Sequence, residues 1–329
     1  MINQQKQKPL KFGVFGTGIM GRNHIATCKG ISDIDVVGVY DVINDSAQKA
    51  AKDFGCEYFS DKDDLASKID CAIVATTSVY HAEAALPLLE KGISCLIEKP
   101  LAATEKECEK LIETAAKNNA TLMVGHIEHF NPAITKLFEI VGKGVSPLSI
   151  ETRRMSAASG RITDVDVAMD LMIHDMEIIL ALAGSKVRTV EASSVKKGKT
   201  AGKDHITAMI EFENGVTANA VASRITTNRI RTLALTAEEC YFDLDFITQK
   251  LSVNYQGRTP FLASDLPEWA KLNVGVTTEQ LFVPFAQPLA IEIKHFVDCV
   301  INNKKPLVSG EEALQALKII WEVQKKLGI

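Results

Sequence analysis

The 329-residue sequence contains no C-x-x-C pair, and its cysteines are odd in number: Cys28, Cys56, Cys71, Cys95, Cys108, Cys240 and Cys299. That pattern offers neither a zinc cage nor a disulfide framework, so reduced thiols and a cytoplasmic location are expected. No run of roughly 18 apolar residues occurs, and Met1 to Lys8 lacks the apolar core of a signal peptide, which excludes a membrane span and export from the expectation. Basic residues nowhere cluster with aromatics and the net charge is −4, so neither a nucleic-acid groove nor a polybasic membrane patch is expected. Internal repeats and low-complexity tracts are missing too. What is left is a chain long enough for two domains that acts on a small molecule.

Short apolar runs at 11–16, 34–41, 71–76, 93–98 and 121–126 alternate with amphipathic stretches. Runs of this length separated by helical patterns predict parallel strands buried on both faces by crossover helices. Thr104 and Glu107 form a capping-box pattern before the helix that follows, and Gly92 closes the one before it. Beyond Pro132 the pattern predicts a helix at 132–142, a strand at 148–156 and a helix around 166–183. Strand-like runs then succeed one another from Val187 to about Tyr255 without helices between them, with Glu213-Asn214-Gly215 as a hairpin signal. Two closing helices follow Pro284, the last capped by Ser309 with Glu312 three residues on, while 257–285 has no placeable pattern. The expected fold class is therefore α/β: a doubly wound parallel sheet over 1–126, then an α+β domain over 127–329 with a mainly antiparallel sheet.

Gly16-Thr17-Gly18-Ile19-Met20-Gly21 is a G-x-G-x-x-G sequence placed after an apolar strand and at the start of a helix. There the glycines permit a tight turn, backbone approach to a pyrophosphate and close helix–strand packing, and helix N–H groups meet the phosphate charge. Asp41 stands twenty residues beyond Gly21 at the end of the second strand. As a ribose ligand it would accept both adenosine ribose hydroxyls and repel a 2′-phosphate, which favours NAD over NADP; as a plain strand-end residue it would cap the next helix.

Glu98-Lys99-Pro100 falls at the carboxyl end of a strand, where open α/β sheets bind ligands, and Lys99 is placed there to act on cofactor and substrate. In the second domain Asp170 and His174, four residues apart, interrupt an apolar helix and share a face. A carboxylate beside an imidazole fixes its tautomer and stabilises the imidazolium formed when it takes a proton. The acidic pairs Asp63-Asp64 and Glu311-Glu312 sit at helix starts, where the helix dipole accounts for them without a metal.

Together these segments, in this order and over nearly the whole chain, resemble the glucose-fructose oxidoreductase/inositol dehydrogenase (Gfo/Idh/MocA) family. The resemblance implies a Rossmann domain, an open-faced sheet domain that mediates homodimer or homotetramer contacts, and NAD(P)-dependent oxidation of a sugar or polyol hydroxyl. It implies Lys99, Asp170 and His174 as the catalytic set, with His174 removing the hydroxyl proton, Asp170 holding His174, and Lys99 hydrogen-bonding the reacting oxygen; a Lys99 base is the other assignment. It also places Thr76, Thr77, His81 and Glu98 along the cofactor, with an ordinary helix-start histidine as the other reading of His81. His126, at the end of the last strand of the first domain, either faces the substrate or is structural.

Gly125 to Pro132 and Asp164 to Asp175 resemble the branch that oxidises the 3-hydroxyl of UDP-N-acetylglucosamine, although His129 stands where that branch carries Arg. Arg153, Arg154 and Arg161 are available as diphosphate ligands, or else are solvated charges. His24, His205 and His295 are read as structural. A free polyol such as an inositol is the alternative substrate, and a dinucleotide-sensing regulator without catalysis is the alternative class.

Overall fold

The computed structural model describes residues 8–157, 166–195, 203–256 and 276–329. Six strands, β1 (Leu10–Phe15), β2 (Ile34–Tyr40), β3 (Glu57–Tyr58), β4 (Cys71–Val74), β5 (Ser94–Glu98) and β6 (Leu122–Gly125), form a sheet of order β3-β2-β1-β4-β5-β6. Every pairing in it is parallel. Continuous apolar runs explain this: β4 and β6 are buried at every position, as a strand covered on both faces requires. The crossovers are α1 (Ile19–Cys28), α2 (Asn44–Phe54), α3 (Lys62–Ala66), α4 (His81–Glu90) and α5 (Glu105–Lys117). Thr104 and Glu107 close a reciprocal capping box on α5, as the spacing predicts. The two-residue β3 is too short to leave a pattern in the sequence.

The chain divides into two compact units, and the division is not linear. Residues up to Phe130 group with Gln287–Lys318, and Asn131–Ala286 with Ile319–Ile329. The expected single boundary after residue 126 therefore misses the return of the chain to the first unit. Two contacts account for that return. On α8 (Pro288–Asn302), Phe296 packs edge-on against Phe12 at a ring separation of 6.0 Å. Ahead of α9 (Gly310–Leu327), Val308 O accepts a hydrogen bond from Val124 N and so occupies the open edge of β6.

The second unit contains α6 (Pro132–Val141), β7 (Pro147–Met155), α7 (Ile173–Ala183) and seven further strands. These are β8 (Val187–Ser194), β9 (His205–Phe212), β10 (Thr217–Ser223), β11 (Ile230–Ala237), β12 (Cys240–Asp245), β13 (Lys250–Gln256) and β14 (Val276–Leu281). Their order is β14-β13-β12-β11-β7-β10-β9-β8, antiparallel except where β7 meets β10. Alternation fixes the register: Ile206, Ala208, Ile210 and Phe212 are buried while Met209 between them is exposed. The hairpin signal is the β9–β10 turn, with Gly215 at φ +89°. β14, inside the stretch without a placeable pattern, is an edge strand paired with β13.

Candidate active site

The strand order of the first unit reverses between β1 and β4, and ligands of open α/β sheets bind in the crevice at such a point. The glycine loop follows β1 there. Gly16, at φ +94°, could not carry a Cβ, which would lie 2.5 Å from Ala75 O. A Cβ on Gly21 would lie 1.9 Å from Gly16 O, so this glycine sets the close approach of α1 to the strand. A Cβ on Gly18 would meet nothing within 4 Å among the described residues: the space above it is open. The first helical hydrogen bond runs from Arg22 N to Gly18 O, which leaves the N–H groups of Ile19, Met20 and Gly21 at the bare helix start. This loop fits a pyrophosphate on each count.

Asp41, just past β2, is fixed to the same loop. Its Oδ2 accepts from Thr17 N at 2.6 Å and from Thr17 Oγ1 at 2.9 Å, and its Oδ1 accepts from Ile43 N at 2.9 Å. The last contact is the local turn that a strand-end Asp makes. Around the crevice rim, Ile19, Val42, Ile43, Val79 and Tyr80 are all exposed apolar side chains. They stand with Thr76 and the exposed Thr77 at the carboxyl ends of β1, β2 and β4, where a flat aromatic base finds apolar walls.

Lys99 follows β5 on the same edge of the sheet and is half-buried. Its two neighbours in sequence are held from below. Glu98 Oε1 pairs with Nε2 of the buried His24 at 2.7 Å, and a Cβ on Gly125 would lie 3.4 Å from Glu98 Oε2. Pro100 O lies 2.7 Å from Nδ1 of His81, whose Nε2 lies 3.1 Å from Thr76 O. His81 thus departs from the expected place against the dinucleotide, because its ring is enclosed between two carbonyls and 1% exposed. His126, expected toward substrate, is likewise closed off at the end of β6 at 1% exposure.

Glu292 on α8 is fully buried, and neither carboxyl oxygen has a hydrogen-bond partner among the described residues. Burial pushes its pKa well above the usual carboxylate range, and the Glu98 charge acts in the same direction. The sequence reading of His24 is structural only and Glu292 is not singled out there, yet both leave a signal. On α1 the buried set is Gly21, His24, Ile25 and Cys28, so a histidine occupies a core position of the helical stripe. On α8, Glu292 does the same beside Ile293 and Phe296.

In the second unit the expected helix around 166–183 is not uniform. Ala168–Met172 winds as a π turn, with the Ile173 N–H bonded back to Ala168 O, and the regular helix α7 begins after it. Such single-turn widenings occur mostly inside α-helices and often at functional sites. Asp166 Oδ1 caps the turn at Ala168 N and Met169 N, and its Oδ2 accepts from Gln324. Between Asp166 and Ile179, only Met169, Asp170, Leu171 and His174 keep partial exposure. Asp170 and His174 therefore share the open side of an otherwise buried segment.

Arg154 is corrected by the structure. Its Nε and Nη2 both bond Asp175 Oδ1, at 3.0 and 2.7 Å, with each side chain 2% exposed, and the guanidinium lies 5.1 Å from the Phe246 ring centre. Strand alternation turns Ile150, Thr152 and Arg154 onto the covered face, so Arg154 is an internal ion-pair partner rather than an accessible anion ligand. Arg153, one residue earlier, is exposed on the opposite face. Arg161 and Asp164 lie outside the described residues. His129 is buried, with its ring tilted 55° against Phe130 at a centre separation of 5.4 Å. Among the described residues no group of three or more His, Cys, Asp or Glu could hold a metal ion, and no helix is long and apolar enough to cross a membrane.

A parallel sheet of this order with a glycine loop at its reversal point defines a dinucleotide-binding fold. Residues 10–126 match the family model described as "Oxidoreductase family, NAD-binding Rossmann fold", and residues 153–239 match the "GFO/IDH/MocA C-terminal domain". The sequence is 30% identical to a UDP-N-acetylglucosamine 3-dehydrogenase of Acidithiobacillus ferrooxidans over 96% of each chain. A solved structure of a UDP-N-acetylglucosamine 3-dehydrogenase from that organism aligns at a TM-score of 0.88 with 28% identity, covering 97% of this chain and 98% of that one. An inositol 2-dehydrogenase of Corynebacterium glutamicum is 28% identical over 64% of this chain and 65% of its own. The chain belongs to the Gfo/Idh/MocA oxidoreductase family. It is a dehydrogenase acting on a CH–OH group of a small molecule, with a nicotinamide dinucleotide as cofactor.

Proposed function

We propose that this dehydrogenase oxidises the 3-hydroxyl of a UDP-N-acetylhexosamine to the ketone, with NAD rather than NADP. The observation that carries the reading is the match of this chain, over nearly its whole length, to a UDP-N-acetylglucosamine 3-dehydrogenase. Supporting it, the backbone N–H groups of Ile19, Met20 and Gly21 and the open space over Gly18 receive the pyrophosphate of the dinucleotide. Asp41 accepts the ribose hydroxyls, and exposed apolar Val42 and Ile43 follow it where an NADP enzyme would need a cation. When bound, the nicotinamide supplies the hydride acceptor.

In this reading His174 takes the hydroxyl proton on a ring nitrogen. Asp170, in the π turn just before it, orients the imidazole and stabilises its protonated form. Lys99 donates a hydrogen bond to the reacting oxygen as negative charge develops there. The protein works in the cytoplasm as a homodimer or homotetramer, assembled through the outer face of the eight-stranded sheet, where Met209 and Tyr241 are exposed.

One observation favours a free polyol substrate as the second reading: Arg154 is committed to Asp175, which removes one expected diphosphate ligand. NADH formation on mixing protein, NAD and either UDP-N-acetylglucosamine or myo-inositol separates the two. A 2-oxoglutarate-dependent aminotransferase that consumes the ketone draws the equilibrium forward. Activity with the nucleotide sugar alone supports the first reading, and activity with the polyol alone replaces it.

A further inference from the structure

Lys99 is bracketed in an unusual way. The residue before it, Glu98, is held through its side chain by His24 at 2.7 Å, and the residue after it, Pro100, lies with its carbonyl 2.7 Å from His81. Both histidines are buried, at 0% and 1% exposure, so neither contact competes with water. Each also belongs to a helix that starts at the cofactor crevice. His24 is on α1, directly after the glycine loop, and His81 is the first residue of α4 and reaches Thr76 O at 3.1 Å. A neutral imidazole has one N–H. The shorter contact assigns that hydrogen of His81 to Nδ1, pointing at Pro100 O.

A buried polar side chain at a core position costs stability relative to an apolar one unless it is satisfied and used. Here two such positions, far apart in sequence, converge on the residues either side of one half-buried lysine. A packing role would be met by leucine or phenylalanine at either site. What only a hydrogen-bonding side chain supplies is a fixed place for the Glu98 carboxylate and the Pro100 carbonyl, and so for the backbone that carries Lys99.

We propose that His24 and His81 are positioning residues that hold Lys99 in place and tie it to the two loops that receive the dinucleotide. The role of Lys99 itself rests on the function proposed above. The placement does not, and it is tested without substrate.

In cofactor-free protein, competitive labelling with trace acetic anhydride, read by mass spectrometry, reports the reactivity of Lys99 against the exposed Lys49. His24→Leu and His81→Phe should free Lys99 and raise its relative labelling about threefold or more, with kcat lower by about tenfold or more and the NAD dissociation constant within about twofold. His24→Gln and His81→Asn keep a donor at the ring position that matters and should stay within about threefold of wild type in labelling and kcat. Unchanged Lys99 labelling in folded His24→Leu and His81→Phe overturns the proposal. If those two variants do not fold, His81→Gln, whose longer amide places its donor toward Thr76 O and away from Pro100 O, must disturb Lys99 more than His81→Asn does; equal labelling in that pair is equally fatal. Lys99→Arg with full kcat, alongside the expected labelling changes, would remove the catalytic reading of Lys99 and leave its placement standing.

Discussion

The three glycines of the loop make separable contributions, and Gly18→Ala is the perturbation that isolates binding from folding. Gly18 has φ −65° and ψ −165°, an extended conformation open to alanine, and its Cβ would meet nothing within 4 Å. The cost to folding is then confined to exchanging glycine for alanine at the helix N-cap, about 0.5 kcal/mol. The same methyl stands where a pyrophosphate approaches the helix start. Displacing that contact should weaken NAD binding about tenfold or more, which is ~1.4 kcal/mol. Gly21→Ala is the opposite case. Its Cβ would lie 1.9 Å from Gly16 O, against the 3.4 Å at which ordinary contact begins, so backbone must move. Overpacking of that kind costs roughly 2 kcal/mol, a fall of about 4–8 °C in the melting temperature of the first unit. Calorimetric NAD titration and thermal denaturation of the two variants give both numbers. If Gly18→Ala binds NAD as wild type does, or melts as early as Gly21→Ala, the loop is not the phosphate cradle described here.

His174→Ala should lower kcat about 100-fold or more with NAD affinity nearly unchanged, and equal loss of both in stopped-flow and titration experiments would make the residue structural. Asp41→Asn should shift the ratio of kcat/KM for NAD over NADP toward NADP by about tenfold; an unchanged ratio removes Asp41 from the ribose. Arg154→Met leaves Asp175 buried without its ion-pair partner and should destabilise the second unit by about 3–5 kcal/mol, while Arg154→Met with Asp175→Leu recovers much of it in denaturant melts. Glu292 binds its proton more tightly folded than unfolded, so its contribution favours folding at low pH and is lost as pH rises from the ordinary carboxylate range through the raised folded value. Melting temperatures across that range should therefore show Glu292→Gln gaining on wild type as pH increases, and parallel curves would mean that Glu292 does not titrate anomalously.

Much of the architecture is written in short-range pattern. Apolar runs of strand length fixed β1, β2, β4, β5 and β6, the Thr104–Glu107 spacing fixed the start of α5, and Asn214-Gly215 fixed the β9–β10 turn. In each, the residues that determine the element lie within a few positions of one another, so periodicity and cap chemistry suffice. The loop Gly16–Gly21 was legible for the same reason: strand, turn and helix start are contiguous.

Tertiary structure decided whatever depends on a distant partner. Arg154 looks like any basic residue on a strand until alternation and the packing of α7 place Asp175 against it. The pairing of His24 with Glu98 spans 74 positions, and no local pattern selects one buried polar residue as the partner of another. The π turn at Ala168–Met172 differs from an α-helix by one extra residue per turn, which hydrophobic spacing does not resolve over five residues. The return of 287–318 to the first unit follows from Phe296 finding Phe12 and Val308 finding the edge of β6. Sequence alone thus determined which chemical groups the chain carries and which elements hold them. Burial and long-range pairing, which depend on chain segments meeting in space, decided which of those groups are closed inside and which face the crevice.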